Sequence, residues 1–254
     1  MLTLIGLGLS DEYDLTLRGI EAAKAADKVY CEFYTGKWGG SVENLQNIVG
    51  HQVFLLRRAD MEEGSHKILQ EALTKDVVIF TQGDPMVATT HSMLLVEARK
   101  MGIETGIVHN SSIFSAVAET GLHVYKFGAT VTIPFMEKTM GKLPKSVYDL
   151  IGHNRARGLH TLCLLDINAD ATGFMTPAQA ADTILAMERH FGEGVIAPGQ
   201  KVVVLSKAGG ESEMFYDEIE AFHAGVANST PSILVVPGQL HFTEEDYLQK
   251  FRYS

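Results

Sequence analysis

Short apolar runs alternate along the chain with segments whose apolar residues recur at helical spacing. In the first half, buried strands are predicted over residues 2–5, 28–33, 53–56, 77–80 and 106–109. Amphipathic helices are predicted between and after them, over residues 15–23, 68–73, 91–101 and 112–119. A β-α-β-α order of this kind predicts a parallel, doubly wound sheet with helices on both faces.

The alternation breaks between Pro134 and Pro144, where no period is visible and a proline stands at each end. This segment is predicted to be a linker or a mobile loop. Beyond it, strands are predicted over residues 161–167, 201–205 and 232–236. A helix over 176–189 should begin at Thr176-Pro177, a capping residue followed by proline at the first helical position. We therefore expect an α/β protein of two α/β domains, residues 1–133 and 134–254.

Composition and charge narrow the class of protein. The net charge is −10, from 31 acidic and 21 basic residues, and the basic residues are scattered, so no nucleic-acid partner is expected. No apolar stretch reaches the roughly 20 residues that cross a bilayer, and no basic segment precedes an apolar one at the N-terminus. The two cysteines, Cys31 and Cys163, lie in strand-like apolar runs and are predicted to be buried free thiols. We expect a cytoplasmic protein without a membrane partner.

The most informative window is T-Q-G-D-P, which follows the fourth predicted strand. Gly83 lets the backbone turn or approach a ligand closely, and Pro85 stops the strand from continuing. Asp84 is therefore placed at the carboxyl end of a buried strand, where open α/β sheets bind their ligands. A turn-capping aspartate is the alternative, and this window alone leaves both open.

The remaining motifs give weaker evidence for a functional site. The first loop, I-G-L-G-L-S-D, suggests a dinucleotide site, but Asp11 stands where the fingerprint needs its third glycine. Glu32, at the end of the second strand, is expected to be a solvated strand-end acid. No phosphate-binding loop, no hydrolase elbow and no histidine pair with metal-ligand spacing occurs, so no metal site is predicted. Loops at the ends of apolar strands in both halves could instead line one cleft between two domains.

Several stretches resemble a known family. The I-G-L-G-L start, the following D-L-T-L-R-G-I and the T-Q-G-D-P-M-V-A-T-T-H window resemble the tetrapyrrole methylase superfamily, also called the class III methyltransferases. Three further stretches resemble the branch of that superfamily that acts in diphthamide biosynthesis: H-N-S-S-I-F-S-A-V-A-E-T-G-L-H-V-Y-K-F-G (109–128), R-G-L-H-T-L-C-L-L-D-I (157–167) and I-L-V-V-P-G-Q-L-H (233–241). The resemblance covers essentially the whole chain, in order.

This resemblance implies a homodimeric enzyme that binds S-adenosyl-L-methionine in a cleft between two α/β domains and releases S-adenosyl-L-homocysteine. It implies methylation of the amino group of the 3-amino-3-carboxypropyl-histidine of elongation factor 2, which gives diphthine. Carried over position by position, the cofactor contacts fall on Leu9, Asp84, Val87, Ser112, Ile113, Leu165, Ala208 and His241. Most would offer backbone groups. Because the sulfonium supplies the reactivity, no single catalytic base is expected, and Asp84 would act in binding and electrostatics.

Three rival functions follow from the same residues. One is methylation of a corrin or porphyrin precursor with the same fold and cofactor. Another is a nucleotide-binding module without catalysis. The third is a nicotinamide-dependent enzyme, which Asp11 disfavours.

Overall fold

The computed structural model describes residues 1–168 and 173–251, which form two compact units, Met1–Ala116 and Val117–Asn168 with the residues from Gly173 onward. The strands are β1 (Leu2–Gly6), β2 (Lys28–Glu32), β3 (Val53–Leu56), β4 (Val77–Thr81), β5 (Thr105–Val108), β6 (Val131–Ile133), β7 (Thr161–Leu165), β8 (Lys201–Ser206), β9 (Glu213–Glu218) and β10 (Ser232–Val236). The α-helices are α1 (Leu17–Lys24), α2 (Val42–Val49), α3 (Arg58–Glu62), α4 (Ser65–Ala72), α5 (Ser92–Lys100), α6 (Ile113–Ala116), α7 (Lys145–Ala156), α8 (Pro177–Phe191), α9 (Ile219–His223) and α10 (Phe242–Leu248).

The sheet of the first unit is entirely parallel, with the strand order β3-β2-β4-β1-β5. Successive residues of β4 point to opposite faces: Val77 and Ile79 pack with α4 and α5, whereas Val78 and Phe80 pack toward the face that holds α1 and α2. All residues of β4 are buried, which is why its sequence is a continuous apolar run rather than an alternating one. The predicted parallel, doubly wound sheet is confirmed for this unit.

The sheet of the second unit is mixed, with the order β6-β7-β10-β8-β9. Only β6 and β7 pair in parallel; β10 runs antiparallel to both of its neighbours, and β9 runs antiparallel to β8. Strand β9 (E-M-F-Y-D-E) was not predicted from the sequence, because acidic residues stand at both of its ends and most of its positions are only half-buried. The α/β class is confirmed, with a parallel sheet in one unit and a mixed sheet in the other.

The spatial contacts of the described residues divide the chain after Ala116. The predicted domain boundary lies between residues 133 and 134. Strand β6 lies in between and pairs with β7. The irregular segment 134–144 is not a linker between the units, because the Phe135 N–H and the Lys138 ammonium donate hydrogen bonds of 2.9 and 2.7 Å to the Asp166 carboxylate. Independent domains bounded at 133/134 stay a prediction.

Two local predictions are confirmed. Helix α8 begins with a capping box, in which Thr176 Oγ1 accepts from the Gln179 N–H (3.2 Å) and Gln179 Oε1 accepts from the Thr176 N–H (2.9 Å). Cys31 and Cys163 are both fully buried free thiols. Burial raises the pKa of both thiols, to about 12 for Cys163. Among the described residues, no helix is long and apolar enough to span a membrane.

Candidate functional site

The loop after β1 is joined to the loop after β4 by a pair of glycines. The Gly8 N–H donates to the Gly83 carbonyl (3.2 Å), and the Gly83 N–H donates to the Gly8 carbonyl (2.8 Å). Both residues have positive φ, 83° and 66°, a conformation that strains other residue types. Leu9, which comes next, donates its N–H to Asp14 Oδ2 (2.9 Å). Leu9 therefore has its carbonyl, but not its N–H, available to a ligand.

Asp84 is buried and its carboxylate accepts three hydrogen bonds from the protein. Oδ1 accepts from the Met86 N–H (2.9 Å), which closes an aspartate turn. Oδ2 accepts from the Asn110 N–H (3.1 Å) and pairs with His109 Nδ1 (2.8 Å). A carboxylate offers about four acceptor positions, so one remains for a ligand donor. Asp84 therefore caps its own turn, as the alternative interpretation predicted, and its carboxylate can still accept a hydrogen bond from a ligand.

Asn110 connects three loops and was not foreseen from the sequence. Its Nδ2 donates to the Gly6 carbonyl (2.9 Å) and to the Asp14 carbonyl (3.0 Å), while its backbone N–H donates to Asp84. The only sequence signal was a polar residue directly after a strand, which is too common to select it. Through Asn110, the carboxyl ends of β1, β4 and β5 form one continuous polar edge.

Ser112 lies on this edge, just before α6. Its hydroxyl oxygen accepts from the Phe114 N–H (3.3 Å), and its backbone N–H donates to Ser115 Oγ (3.2 Å). The hydroxyl hydrogen of Ser112 can still be donated to a ligand. Ile113, the next residue, is half-buried. Val87, in the loop after β4, is half-buried as well, and its N–H donates to the Asp84 carbonyl (3.2 Å). The first unit therefore places Leu9, Asp84 and Ser112 on loops at the same end of its sheet.

Glu32 contradicts the expectation of a solvated strand-end acid. It is fully buried at the end of β2, where its carboxylate accepts from Thr35 Oγ1 (2.7 Å) and from the Thr35 N–H (3.3 Å). Burial raises the pKa of the Glu32 carboxyl, although the hydrogen bonds from Thr35 and from the Gln82 backbone oppose the rise. The expectation failed because the sequence did not show that the loop after β2 folds back over the strand end.

The second unit separates the residues predicted for it. Leu165 ends β7 and Ala208 follows β8, and these two strands run in the same direction because both are antiparallel to β10. His241 follows β10, whose end, Val236, pairs with Thr161 at the start of β7. Convergence of strand ends therefore holds for Leu165 and Ala208 at one edge but fails for His241, which follows the other edge. Its role as a cofactor contact stays a prediction from the resemblance.

His241 has a structural task of its own. It caps α10, since its Nδ1 accepts from the Thr243 N–H (3.4 Å) and its own N–H donates to Glu244 Oε2 (2.7 Å). Its exposed ring lies 5.4 Å from the ring of His123 and 4.3 Å from that of Phe242. The imidazole is therefore fixed at a helix start among other rings, in a position where it can stack on a planar ligand.

Glu244, in α10, forms hydrogen bonds with residues of two other segments of the second unit. The residue is fully buried, and it accepts from the Lys126 ammonium (2.5 Å), the His123 N–H (2.8 Å) and His160 Nε2 (3.1 Å). Burial alone would raise the pKa of this carboxyl, but the hydrogen bonds from the His241 backbone, Lys126 and His123 lower it to about 2. Glu244 is therefore an anion at neutral pH that ties α10 to two other segments.

The fold and the polar edge of its parallel sheet define the class of protein. The chain belongs to the family of tetrapyrrole (corrin/porphyrin) methylases, whose family model matches residues 1–220. Within that class, it is similar to the diphthine synthase of Methanocaldococcus jannaschii, with 42% identity over 253 residues and 98% of each chain covered. The diphthine synthase of Methanococcus maripaludis strain C7 is 41% identical over 251 residues, again 98% of each chain. A crystal structure of diphthine synthase superposes with a TM-score of 0.88 at 35% identity, covering 99% of this chain and 95% of that one.

Proposed function

We propose that this protein is an S-adenosyl-L-methionine-dependent N-methyltransferase that acts as a diphthine synthase. It methylates the amino group of the 3-amino-3-carboxypropyl-histidine of elongation factor 2 and gives diphthine in diphthamide biosynthesis. The observation that carries the proposal is similarity along nearly the whole chain, at 41–42% identity, to proteins named for this activity. Both units match, so the likeness is not confined to the sheet that many α/β proteins share.

The polar edge of the first unit fits the proposed cofactor. The carbonyl of Leu9, the remaining acceptor position of Asp84 and the hydroxyl of Ser112 lie on loops that hydrogen bonds already fix. Val87 and Ile113 add half-buried apolar surface. In the second unit we assign Leu165, Ala208 and His241 to the same cofactor. When bound, S-adenosyl-L-methionine supplies an activated methyl group and leaves as S-adenosyl-L-homocysteine.

No side chain has to act as a strong base in this reaction. An ordinary α-amino group has a pKa of roughly 7.7–8.0, so part of the substrate is a neutral nucleophile near pH 7. The proton that each methylation releases can pass to water. Asp84 already accepts three hydrogen bonds from the protein, and we assign its remaining acceptor position to the cofactor. The chain's own contribution is alignment of the amine and exclusion of competing water.

Assembly and location belong to the same proposal. We assign a homodimer, as the resemblance implies, and a cytoplasmic site of action, where elongation factor 2 works on the ribosome. Exposed apolar side chains on α5 are compatible with a partner surface: Met93 is 59% exposed and Val96, three residues on, is 42% exposed. Sedimentation velocity over a concentration series tests the dimer, and a monomer at all concentrations would contradict it.

Mass spectrometry of elongation factor 2 peptides tests the function directly. The protein is incubated with S-adenosyl-L-methionine and elongation factor 2 that already carries the aminocarboxypropyl group. We expect added methyl mass on the modified histidine peptide and equivalent formation of S-adenosyl-L-homocysteine. Elongation factor 2 without the group is the control and should gain none. A parallel reaction with a porphyrin precursor separates the rival tetrapyrrole methylase, since methylation of that substrate alone would overturn the proposal.

A further inference from the structure

His109 and Asp84 form a hydrogen-bonded pair at the carboxyl edge of the first unit's sheet. Asp84 is 6% exposed, and its Oδ2 lies 2.8 Å from His109 Nδ1. The side chain of His109, in contrast, is 68% exposed. A buried carboxylate therefore holds one side of the imidazole, while the rest of the ring faces solvent. The same carboxylate keeps an acceptor position that we assign to the cofactor, so the exposed ring stands next to the proposed cofactor site.

The pairing with Asp84 determines which ring nitrogen of His109 carries the hydrogen. A carboxylate only accepts hydrogen bonds, so Nδ1 is the nitrogen that donates. In the neutral ring, Nε2 is then the nitrogen with the free lone pair, and it lies on the side of the ring away from Asp84. An aspartate that holds an imidazole in this way prepares it to accept a proton at its second nitrogen and stabilises the imidazolium that forms.

The backbone that bears the imidazole is fixed by the next residue, Asn110. Its N–H donates to the same Asp84 Oδ2 (3.1 Å), and its side chain donates to the carbonyls of Gly6 (2.9 Å) and Asp14 (3.0 Å). The loops after β1 and β4 therefore both hold the end of β5 in place. Each of these two loops brings a carboxylate: that of Asp14 accepts from the Ser10 N–H (2.7 Å), and that of Asp84 pairs with His109.

The methylation of an amine creates a need for a proton acceptor. The amine lone pair forms the new N–C bond, and the electron pair of the broken S–C bond stays on the sulfur, so the sulfonium charge moves to the nitrogen. A second methyl group can be accepted only after the ammonium has lost a proton, because the lone pair must be free again. One proton is released for each methyl group added, counted from the ammonium form of the substrate. Imidazole accepts and returns protons near neutral pH, and an exposed ring can return them to water.

We propose that His109 is the proton acceptor of this reaction. Its Nε2 takes the proton from the substrate ammonium and passes it to water, while Asp84 orients the ring and stabilises the imidazolium. This inference rests on the proposed function and adds to it the residue that removes the proton. Imidazole is a weak base, in keeping with a reaction that needs no strong one. At high pH the solvent itself keeps the amine neutral, so the contribution of His109 should disappear there.

His109→Asn tests the proposal through its pH profile. The asparagine amide places an N–H where Nδ1 stands, so the hydrogen bond to Asp84 can be kept while the second ring nitrogen is lost. We expect kcat with elongation factor 2 that carries the aminocarboxypropyl group to fall roughly 10- to 100-fold at pH 7. The difference from the wild type should shrink toward pH 9, because an amine with a pKa of roughly 7.7–8.0 is then mostly neutral. The KM for elongation factor 2 and the Kd for S-adenosyl-L-methionine should stay near their wild-type values.

His109→Ala allows a second test, by chemical rescue. Because the side chain is largely exposed, imidazole added to the buffer can reach the space that the ring leaves, and it should raise kcat of this variant at pH 7. His51→Ala is the matched control from the same unit. His51 precedes β3, at the amino ends of the parallel strands, and its Nε2 lies 3.0 Å from the Lys24 carbonyl. This control should have the wild-type kcat at every pH and should not respond to imidazole.

The pH profile of His109→Asn decides between the outcomes. A loss of kcat that shrinks as the pH rises supports the proposal. A loss of the same factor at every pH overturns it, because a merely structural role has no reason to follow the protonation of the amine. A wild-type kcat at pH 7 also overturns it, and so does a loss confined to cofactor affinity. If the asparagine variant does not fold, rescue of His109→Ala by imidazole supports the proposal and its absence overturns it. Failure of the wild-type protein to methylate elongation factor 2 would instead reject the proposed function.

Discussion

At Asp84, hydrogen bonds from the loops after β4 and β5 meet on one carboxylate. The residue closes its own turn through Met86 and holds Asn110 and His109 at the neighbouring strand end. Capping and ligand binding are therefore compatible at this position, because the protein donors fix the carboxylate and leave about one acceptor position open. A group that is already oriented loses little freedom on binding a ligand.

Asp84→Asn tests this role. Asparagine keeps one acceptor oxygen but turns an NH2 group toward protein donors, so the loops lose at least one hydrogen bond. We expect cofactor affinity to fall roughly 5- to 150-fold, the equivalent of about 1–3 kcal/mol. Isothermal calorimetry with S-adenosyl-L-methionine measures it. Asp76→Asn, an exposed aspartate just before β4, is the control and should bind normally.

The opposite pattern would contradict an anchoring role for Asp84. Intact cofactor affinity with abolished turnover in Asp84→Asn would make the carboxylate a participant in the chemistry.

The sequence predicts the position of a residue well where its neighbours in the chain determine the local structure. Gly83 and Pro85 were enough to place Asp84 at a strand end. Asn110 could not be found in this way, because its side chain bonds to Gly6 and Asp14, 104 and 96 residues away. Glu32 was misjudged for a related reason, since only the folded loop above it removes it from water.

Elements that are buried on both faces or carry a clear cap were predictable, whereas the edge strands β6 and β9 of the second sheet were not. β4 and α8 were found from an apolar run and a capping pair. β9 lacks such a signal, and the direction of β10 cannot be seen in its sequence at all. An apolar run has the same sequence pattern whether its neighbouring strands are parallel or antiparallel. For this reason the predicted convergence of strand ends failed at His241, which follows the antiparallel strand β10.

Glu244 makes the attachment of α10 dependent on pH. Its folded-state pKa of about 2 lies below the ordinary value of 4.5, so its contribution to stability is complete above about pH 4.5 and is lost as the pH falls toward 2. Glu244→Gln should therefore be less stable than the wild type at pH 7, and the difference should shrink through that window. Urea unfolding at several pH values between 7 and 2.5 measures it.

Glu245→Gln is the matched control for the lost charge, because Glu245 is exposed on the same helix. It should show a small difference from the wild type. A stability gap for Glu244→Gln that stays constant from pH 7 to 2.5 would refute the linkage.

The molecule has separate hydrophobic cores in its two units. The core residues on both faces of the first sheet all lie before Ala116, and the core of the second unit runs from Val131 to Val236. The sequence predicts two α/β domains that meet between residues 133 and 134, and this boundary stays a prediction. The contacts of the described residues divide the chain after Ala116 instead, on the other side of β6, a three-residue strand without a pattern of its own. Its membership becomes visible only through its pairing with β7.

A fragment of residues 1–116 should unfold cooperatively in a thermal melt followed by circular dichroism, because its sheet is complete and both sheet faces are covered. In a fragment of residues 1–133 the added segment lacks β7, so mild proteolysis should trim it back toward residue 116. A resistant 1–133 fragment together with an unfolded 1–116 fragment would instead favour the boundary that the sequence predicts.

The two native cysteines allow the local opening of each unit to be measured without introducing a label site. Cys31 lies in the first unit and Cys163 in the second, and both thiols are shielded and held protonated by burial. Each can react with an alkylating reagent only when its own sheet opens. Pulsed alkylation with peptide mass analysis should therefore give two separate opening rates from one native sample. A ligand that rigidifies only one unit would slow the labelling of that unit's thiol alone.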